Sequence, residues 1–196
     1  RSFLKTGCAC AGAVGAALFA GKTFAAERTG KLRLKVVYSL HAPVQPGPDW
    51  PNVGFDFRPV MEKFTNAFSQ AFPDMEFATA MAANEGEAKA ILEADQKAGK
   101  DGPDGYIVYQ LNCWNRIVQT LATSDKPVLY ADFQYGGSGG FLVYTAAFLR
   151  ENRPNVGFVA SSKIEDHLAA VRCFPEVLSG KGGTFAEATA RVRRGA

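Results

Sequence analysis

Polar and aromatic residues suited to binding a small molecule follow the strand-like segments of this chain. They are His41, Asn112, Trp114, Asp132, Gln134, Gly136, Gly137, Ser138 and Gly139. Hydroxyl, amide and carboxylate groups can hydrogen-bond to the hydroxyl groups of a sugar, and an indole ring can stack on its apolar face. These groups suit a small polar ligand such as a sugar or polyol.

The run from Gly136 to Gly140 is the most informative of these segments. Glycine has no Cβ, so backbone N–H groups there can approach a ligand, and the run leads into a predicted helix. It has neither the Lys-Ser/Thr of a Walker loop nor the spacing of a dinucleotide fingerprint. Ligand contact and an ordinary strand-to-helix loop both remain open. We expect bulk at Gly137 or Gly139 to leave the fold largely intact, because the loop is on the surface.

The other candidate residues also have structural alternatives. Asp132 can act as a metal ligand, as an acceptor for a sugar hydroxyl or as a cap for the next turn. His41 is either a base or a structural residue, and Trp114 either stacks on a sugar or fills the core. Ser138 does not match the Gly-x-Ser-x-Gly nucleophile motif in its strand context, so a hydrolase is not expected. The chain has 2 histidines, which argues against a His-rich zinc site.

From residue 31 onward, β-rich runs alternate with segments of helical period, a pattern typical of a parallel α/β sheet. Strands are predicted at residues 32–40, 75–81, 106–111, 127–131 and 156–160. Helices are predicted at residues 57–72, 84–98, 114–122, 141–150 and 164–174. The fold class is therefore α/β, a doubly wound, mostly parallel five-stranded sheet of flavodoxin-like order, with the apolar third strand in its centre. Ligands bind at the carboxyl ends of such strands, where the candidate residues fall.

Residues 1–25 have the plan of a secretory signal: a charged start, an apolar run at 7–21 and small residues before a cut after Ala25. The start, Arg-Ser-Phe-Leu-Lys, resembles the twin-arginine export signal with its first arginine missing, so we expect an N-terminally incomplete sequence. An uncleaved anchor or a buried Ala-rich helix is the alternative, although the apolar run is shorter than the roughly 20 residues of a membrane span. We expect an exported, periplasmic protein with no membrane span after cleavage.

Charge and cysteine content restrict the partners further. Three of the 22 basic residues lie in the first 26 residues, leaving 19 basic and 19 acidic side chains in the remainder. A balanced body without a basic face argues against nucleic acid as a partner.

Loss of the signal leaves two cysteines, Cys113 and Cys173. A disulfide between them is permitted in an exported protein, but we expect two buried free thiols.

Residues 35–39, 104–110 and 127–132, together with the export signal, resemble the N-terminal α/β region of the L-fucose and L-arabinose isomerase superfamily. The similarity includes exported members of that superfamily and covers about residues 31–178. These enzymes are intramolecular oxidoreductases that interconvert aldose and ketose sugars. They use a divalent cation, usually manganese, held by carboxylates and a histidine of a later domain.

The resemblance implies that residues 31–178 form the substrate-side or subunit-packing domain of a sugar-isomerase-like protein. Residues 179–196 would then be the tail of a truncated chain. It implies that this fragment holds no catalytic residues and no cofactor and would be inactive alone. The full-length protein would use manganese, and it could form a homo-oligomer. The alternative is half of a two-lobed periplasmic sugar-binding or sensor protein, which has the same kind of sheet and is also exported.

Overall fold

The structure is a computed structural model that describes residues 30–112 and 114–195, so the expected signal segment lies outside it. Its five strands form one parallel sheet of order β2-β1-β3-β4-β5. The strands are β1 Leu32–Ser39, β2 Met75–Ala82, β3 Gly105–Gln110, β4 Val128–Asp132 and β5 Val156–Val159. This confirms the predicted α/β class and flavodoxin-like order, with the fully buried β3 in the centre.

Helices cover both faces of the sheet. They are α1 Arg58–Ala71, α2 Glu85–Ala98, α3 Ile117–Leu121, α4 Ser138–Glu151, α5 Ile164–Val171, α6 Cys173–Leu178 and α7 Phe185–Gly195. Helices α1, α5, α6 and α7 pack on one face, and α2, α3 and α4 pack on the other, each over its own apolar cluster. The β1–β2 connection therefore crosses one face, and the β2–β3, β3–β4 and β4–β5 connections cross the other, so the direction of winding reverses once, as in a doubly wound sheet.

Local sequence explains where α2 begins. The Asn84 side chain accepts a hydrogen bond from the Glu87 N–H (2.9 Å), and the Glu87 carboxylate accepts one from the Ala83 N–H (2.8 Å). This reciprocal cap satisfies the Glu87 N–H, which has no acceptor within the helix, and the Ala83 N–H just before the cap. An asparagine followed three residues later by a glutamate is thus the sequence signal for the start of α2.

Four tyrosines of the central strands are buried and tie the sheet to its surroundings. Each hydroxyl has a polar partner: Met61 O for Tyr38, Asp95 for Tyr106, His167 for Tyr109 and Gln110 for Tyr130. Burial raises the pKa of Tyr38 to about 12 and raises that of Tyr109 well above its usual value. These phenols are therefore neutral at physiological pH, and their hydrogen bonds link the sheet to the surrounding core.

The C-terminal segment forms part of the α/β domain. In α7 the Thr184 hydroxyl accepts from the Glu187 N–H (3.2 Å), and the Glu187 carboxylate accepts from the Thr184 N–H (2.9 Å). Helix α7 buries Phe185 and Thr189, and a Cβ added to Gly157 of β5 would lie 2.5 Å from the Thr189 side chain. The domain therefore extends to residue 195, whereas the sequence indicated no element after residue 178.

Two further sequence expectations concern cysteines and membrane spans. Cys173 is a buried free thiol, and burial raises its pKa, while Cys113 lies outside the described residues. Among the helices of residues 30–112 and 114–195, none is long and apolar enough to cross a membrane.

Candidate functional site

A cleft of about 470 Å³ lies at the carboxyl edge of the sheet, between the loop that follows β1 and the start of α4. We call it the aromatic cleft; it is lined by Trp50, Pro51, Gln134, Tyr135, Gly136, Ser138 and Gly139. Trp50 is 71% exposed and Tyr135 is 65% exposed. The volume is within the range of small-molecule pockets, roughly 300–1,000 Å³.

Buried amides hold the proline-rich loop that carries Trp50. The Asn112 side chain donates to the Gln45 side chain and accepts from the His41 N–H (3.1 Å). Gln45 N–H in turn donates to the Phe55 carbonyl oxygen (2.9 Å), which closes the loop on itself. Asn112 therefore positions the loop from the end of β3 and is not part of the cleft wall.

His41 stands apart from the cleft-lining residues. Its side chain is exposed, and Nε2 lies 3.9 Å from an Asp49 carboxylate oxygen. Among the described residues, no other predicted site residue places a polar group within hydrogen-bond distance of this imidazole. A role of His41 as a base stays a prediction without a structural partner.

Close packing explains the first two glycines of the run after β4. The N–H groups of Gly136 and Gly137 both donate to the Phe133 carbonyl oxygen, at 3.0 and 2.9 Å. A Cβ built on Gly137 would overlap the Gln110 carbonyl oxygen, and one built on Gly136 would lie 2.6 Å from that of Leu111. The turn therefore needs glycine to approach the end of β3, and these two N–H groups already have an acceptor within the chain.

Helix α4 brings a polar pair to the cleft. The Ser138 hydroxyl donates to the two carboxylate oxygens of Asp132, at 3.0 and 3.2 Å. Asp132 is 5% exposed, and burial raises the pKa of its carboxyl group. Ser138 lines the cleft, so Asp132 acts on the cleft through this hydroxyl. The first N–H groups of α4 have no acceptor within the helix, and Ser138 and Gly139 present theirs at this end.

Trp114 flanks the cleft and does not fill the core, since it is 52% exposed. Its ring lies over the start of α4: a Cβ on Gly139 would be 2.5 Å from ring atom Cζ2, and one on Gly140 would be 3.2 Å from Cδ1. The Tyr144 hydroxyl donates to the Trp114 carbonyl oxygen and so ties it to α4. One part of the indole therefore packs on glycines while the remainder faces solvent beside the cleft.

The structure thus brings together four of the predicted residues as cleft walls, namely Gln134, Gly136, Ser138 and Gly139. Asp132, Gly137 and Trp114 lie directly behind or beside them. Trp50, Pro51 and Tyr135 were not among the predicted site residues. A tryptophan inside a proline-rich loop, where no helix or strand exists to bury it, is the signal that points to Trp50.

A metal site was one of the alternatives for Asp132. Among residues 30–112 and 114–195, no group of three His, Cys, Asp or Glu side chains is arranged to hold a metal ion. Asp132 itself is bonded to Ser138. The side chains of these described residues therefore do not fit a manganese site of their own.

Comparisons with known proteins find little that is similar. No protein-family model matches the chain, and no curated protein matches it. Among solved structures, the chain is similar in part to the lysine decarboxylase LdcF of Francisella novicida, with 14% sequence identity and a TM-score of 0.42. The match covers 77% of this chain and spans 18% of that chain.

Proposed function

We propose that this domain binds a sugar or polyol in the aromatic cleft, as the substrate-side domain of an exported sugar-isomerase-like protein. The observation that carries the proposal is the exposure of Trp50 and Tyr135 in one cleft with hydrogen-bonding groups. Large aromatic side chains left in solvent mark binding surfaces, and their rings suit the C–H face of a sugar.

The polar groups of the cleft match hydroxyl groups, which both donate and accept. The Gln134 side-chain amide offers a donor and an acceptor. The Ser138 hydroxyl donates to Asp132 and so keeps its lone pairs for a ligand hydroxyl. Because the acceptor behind it is a carboxylate, this chain of hydrogen bonds is polarised toward the ligand.

The electrostatic character of the cleft favours a neutral ligand. None of the residues that line it carries a charge, and the Asp132 carboxylate is buried behind Ser138. Phosphate groups commonly pair with a cationic side chain, and the residues that line the cleft include none. The proposed ligand is therefore an unphosphorylated sugar or polyol.

In this proposal the domain binds and orients the sugar. The resemblance to the isomerases implies that the ligands of the divalent cation belong to a later domain. Isomerisation therefore needs the full-length protein.

A two-lobed sugar-binding protein is the second candidate. The cleft opens at the carboxyl edge of a sheet of flavodoxin-like order, and the lobes of such binders close on a ligand at that edge. Calorimetry on the full-length protein with and without manganese separates the two. Tight sugar binding that is indifferent to the metal favours the binder, whereas metal-dependent conversion of aldose to ketose favours the isomerase.

The binding step is tested by calorimetry with a panel of aldoses, ketoses and polyols. We expect Trp50→Ala and Tyr135→Ala each to weaken binding about tenfold, since loss of an aromatic contact removes on the order of 1 kcal/mol or more. Leu149→Ala is the matched control, because Leu149 is an exposed apolar residue of α4 that does not line the cleft. Equal affinities for wild type, Trp50→Ala and Tyr135→Ala would refute the proposal.

A further inference from the structure

Strand β2 forms an unprotected edge of the sheet. It is the terminal strand in the order, and within residues 30–112 and 114–195 only β1 pairs with it. Glu76, Ala78, Thr79 and Met81 are exposed, so neither α1 nor α2 covers this edge. Proline and charged residues, especially lysine, usually prevent an edge strand from pairing with another chain. Strand β2 contains no proline or lysine, and Glu76 is its single charged residue.

The direction of the backbone groups along β2 follows from one hydrogen bond. The Leu40 N–H donates to the Ala82 carbonyl oxygen (3.1 Å), so Ala82 faces β1. Successive residues of a strand point their N–H and C=O groups to opposite sides. Residues Phe77, Thr79 and Met81 therefore direct theirs outward, away from β1.

The next outward-facing residues in both directions already have partners. The Met75 N–H donates to the Phe72 carbonyl oxygen (3.0 Å), and the Ala83 N–H donates to Glu87 (2.8 Å). The outward groups that remain for another strand are thus centred on Thr79. A second copy of β2 that runs antiparallel presents the same three residues in reverse order. Each outward N–H and C=O group of one copy then has a partner in the other.

We propose that two copies of this chain pair antiparallel along β2, about a twofold axis at Thr79, to form a continuous sheet. Thr79 then exchanges hydrogen bonds with the partner's Thr79, and Phe77 with the partner's Met81. This gives about six backbone hydrogen bonds, two for each hydrogen-bonded pair. The interface is isologous, because the same residues contribute from both copies.

Side chains and charge favour a second copy as the occupant. Around this axis Phe77 faces the partner's Met81 on one side of the sheet, and Ala78 faces the partner's Ala80 on the other. Glu76 lies opposite the partner's Ala82, and the two Glu76 side chains are about 20 Å apart at about 3.4 Å per residue. No like charges of the two strands therefore meet across the axis.

A groove beside the edge supplies apolar area for the same interface. It has a volume of about 370 Å³, lies between α1 and the carboxyl half of β2, and includes Tyr38, Met61, Thr79 and Met81 in its lining. A second sheet continued from β2 would cover this groove. The aromatic cleft is at the β4–α4 turn, so the pairing leaves it open and does not depend on the proposed function.

The test is sedimentation velocity over a dilution series. We expect the wild-type chain to sediment as a dimer that dissociates on dilution, and Thr79→Pro to weaken dimerisation about a hundredfold or more. Proline removes an outward N–H and none that faces β1, so the circular dichroism spectrum should stay that of the wild type. Thr79→Val keeps the N–H group and should dimerise like the wild type.

Thr79→Lys provides a second variant should the proline variant fail to fold. It places two ammonium groups opposite each other at the axis, so we expect dissociation at low salt and partial recovery at high salt. A wild-type chain that stays monomeric throughout the series overturns the proposal. So does a folded Thr79→Pro or Thr79→Lys variant that dimerises as tightly as the wild type.

Discussion

Asp132 opposes folding at neutral pH while it supports the proposed site. Burial raises the pKa of this carboxyl group above its value in the unfolded chain. Its contribution to stability is therefore fully present below the unfolded pKa and is lost as pH rises through the folded pKa. In the proposed site the Asp132 carboxylate polarises the Ser138 hydroxyl toward the ligand.

We expect Asp132→Asn to melt at a higher temperature than the wild type near neutral pH, with the difference disappearing below about pH 4. Asparagine keeps an oxygen for the Ser138 hydroxyl, but sugar affinity should fall because a charged acceptor is lost. Thermal melting over a pH series and calorimetry measure the two effects. Asp125→Asn, which removes an exposed carboxylate, is the control, and a lower melting temperature for Asp132→Asn at neutral pH would count against this interpretation.

The glycines of the β4–α4 turn differ in what a side chain would meet. A Cβ on Gly137 overlaps the Gln110 backbone oxygen, which cannot move without disturbing β3. We expect Gly137→Ala to lower the free energy of unfolding by at least about 2 kcal/mol in urea denaturation. The expectation that bulk at Gly137 leaves the fold intact is therefore wrong.

Gly139→Ala should cost less than Gly137→Ala. The nearest atom is the Trp114 ring, at 2.5 Å, and that half-exposed ring can shift. Gly47→Ala, where no atom lies within 4 Å, is the control for the general effect of adding a methyl group. Equal losses at Gly137 and Gly139 would show that the Gln110 contact is not decisive.

At the scale of elements, a buried ion pair joins β1 to α2. The Lys35 ammonium group contacts Asp95, which is buried and also accepts a hydrogen bond from the Tyr106 hydroxyl (3.2 Å). We expect Lys35→Met to lower the free energy of unfolding by about 3–5 kcal/mol, because it leaves the carboxylate buried without its cation. Chemical denaturation measures this loss.

The double variant Lys35→Met/Asp95→Asn separates loss of the pair from loss of packing. A neutral amide still accepts from Tyr106 and needs no cation, so most of the stability should return. If the double variant were as unstable as Lys35→Met alone, the unpaired charge would not be the cause.

The strands were predictable because each is a short segment rich in apolar residues and ended by turn residues. The continuous apolar run in β3 also predicted its central position correctly, since both faces of that strand are covered. Helix ends were less accurate. Helix α4 begins at Ser138 and not at Phe141, because packing of Gly137 and Gly140 against Gln110 and Trp114 overrides the low helix propensity of glycine.

Helix α7 was missed although its sequence carries a signal. Thr184 and Glu187 have the spacing of a capping box, and Phe185, Ala188, Thr189 and Val192 follow at helical intervals. The predicted helix 164–174 instead forms two helices, α5 and α6, which meet at Arg172.

The rule that ligands lie at carboxyl strand ends selected Gln134, Gly136, Ser138 and Gly139.

Trp50 was not predictable by the same rule. Its position depends on the path of a proline-rich loop, which is held by the Asn112–Gln45 hydrogen bond between residues 67 positions apart. Such a contact has no local signature in the sequence. The predicted residues therefore include the α4 side of the cleft and leave out its loop side, and their role in binding stays a prediction.

At the scale of the whole molecule, His167 makes the free energy of unfolding depend on pH. It is buried beside Tyr109 and Phe64, with ring nitrogens at 2.9 Å from the Tyr109 hydroxyl and 2.8 Å from the Ser161 carbonyl oxygen. Burial lowers the pKa of this imidazole, and the hydrogen bond to Ser161 and the Asp166 charge only partly offset the effect. The resulting stability is present above the unfolded pKa, about 6.5, and is lost as pH falls through the folded pKa.

We expect the free energy of unfolding of the wild type to fall between neutral pH and about pH 5, and that of His167→Asn to be less dependent on pH. The variant should be less stable at neutral pH, because it loses packing between α1 and α5. Urea denaturation at several pH values measures both. A wild-type profile parallel to that of His167→Asn would show that this imidazole does not titrate on unfolding.

The aromatic cleft unites the loop after β1, the β4–α4 turn and the start of α4 in one proposed binding site. The chain has 2 tryptophans, Trp50 in the cleft and Trp114 at its flank, so each indole N–H gives one assignable resonance. The most direct measurement is a titration followed by proton–nitrogen correlation NMR, with the sugar that binds best in calorimetry and with Trp50→Phe to assign the peak. We predict that the Trp50 indole resonance shifts saturably, with a midpoint equal to the calorimetric dissociation constant. A sugar that binds the protein and leaves the Trp50 resonance unmoved would contradict the proposed site.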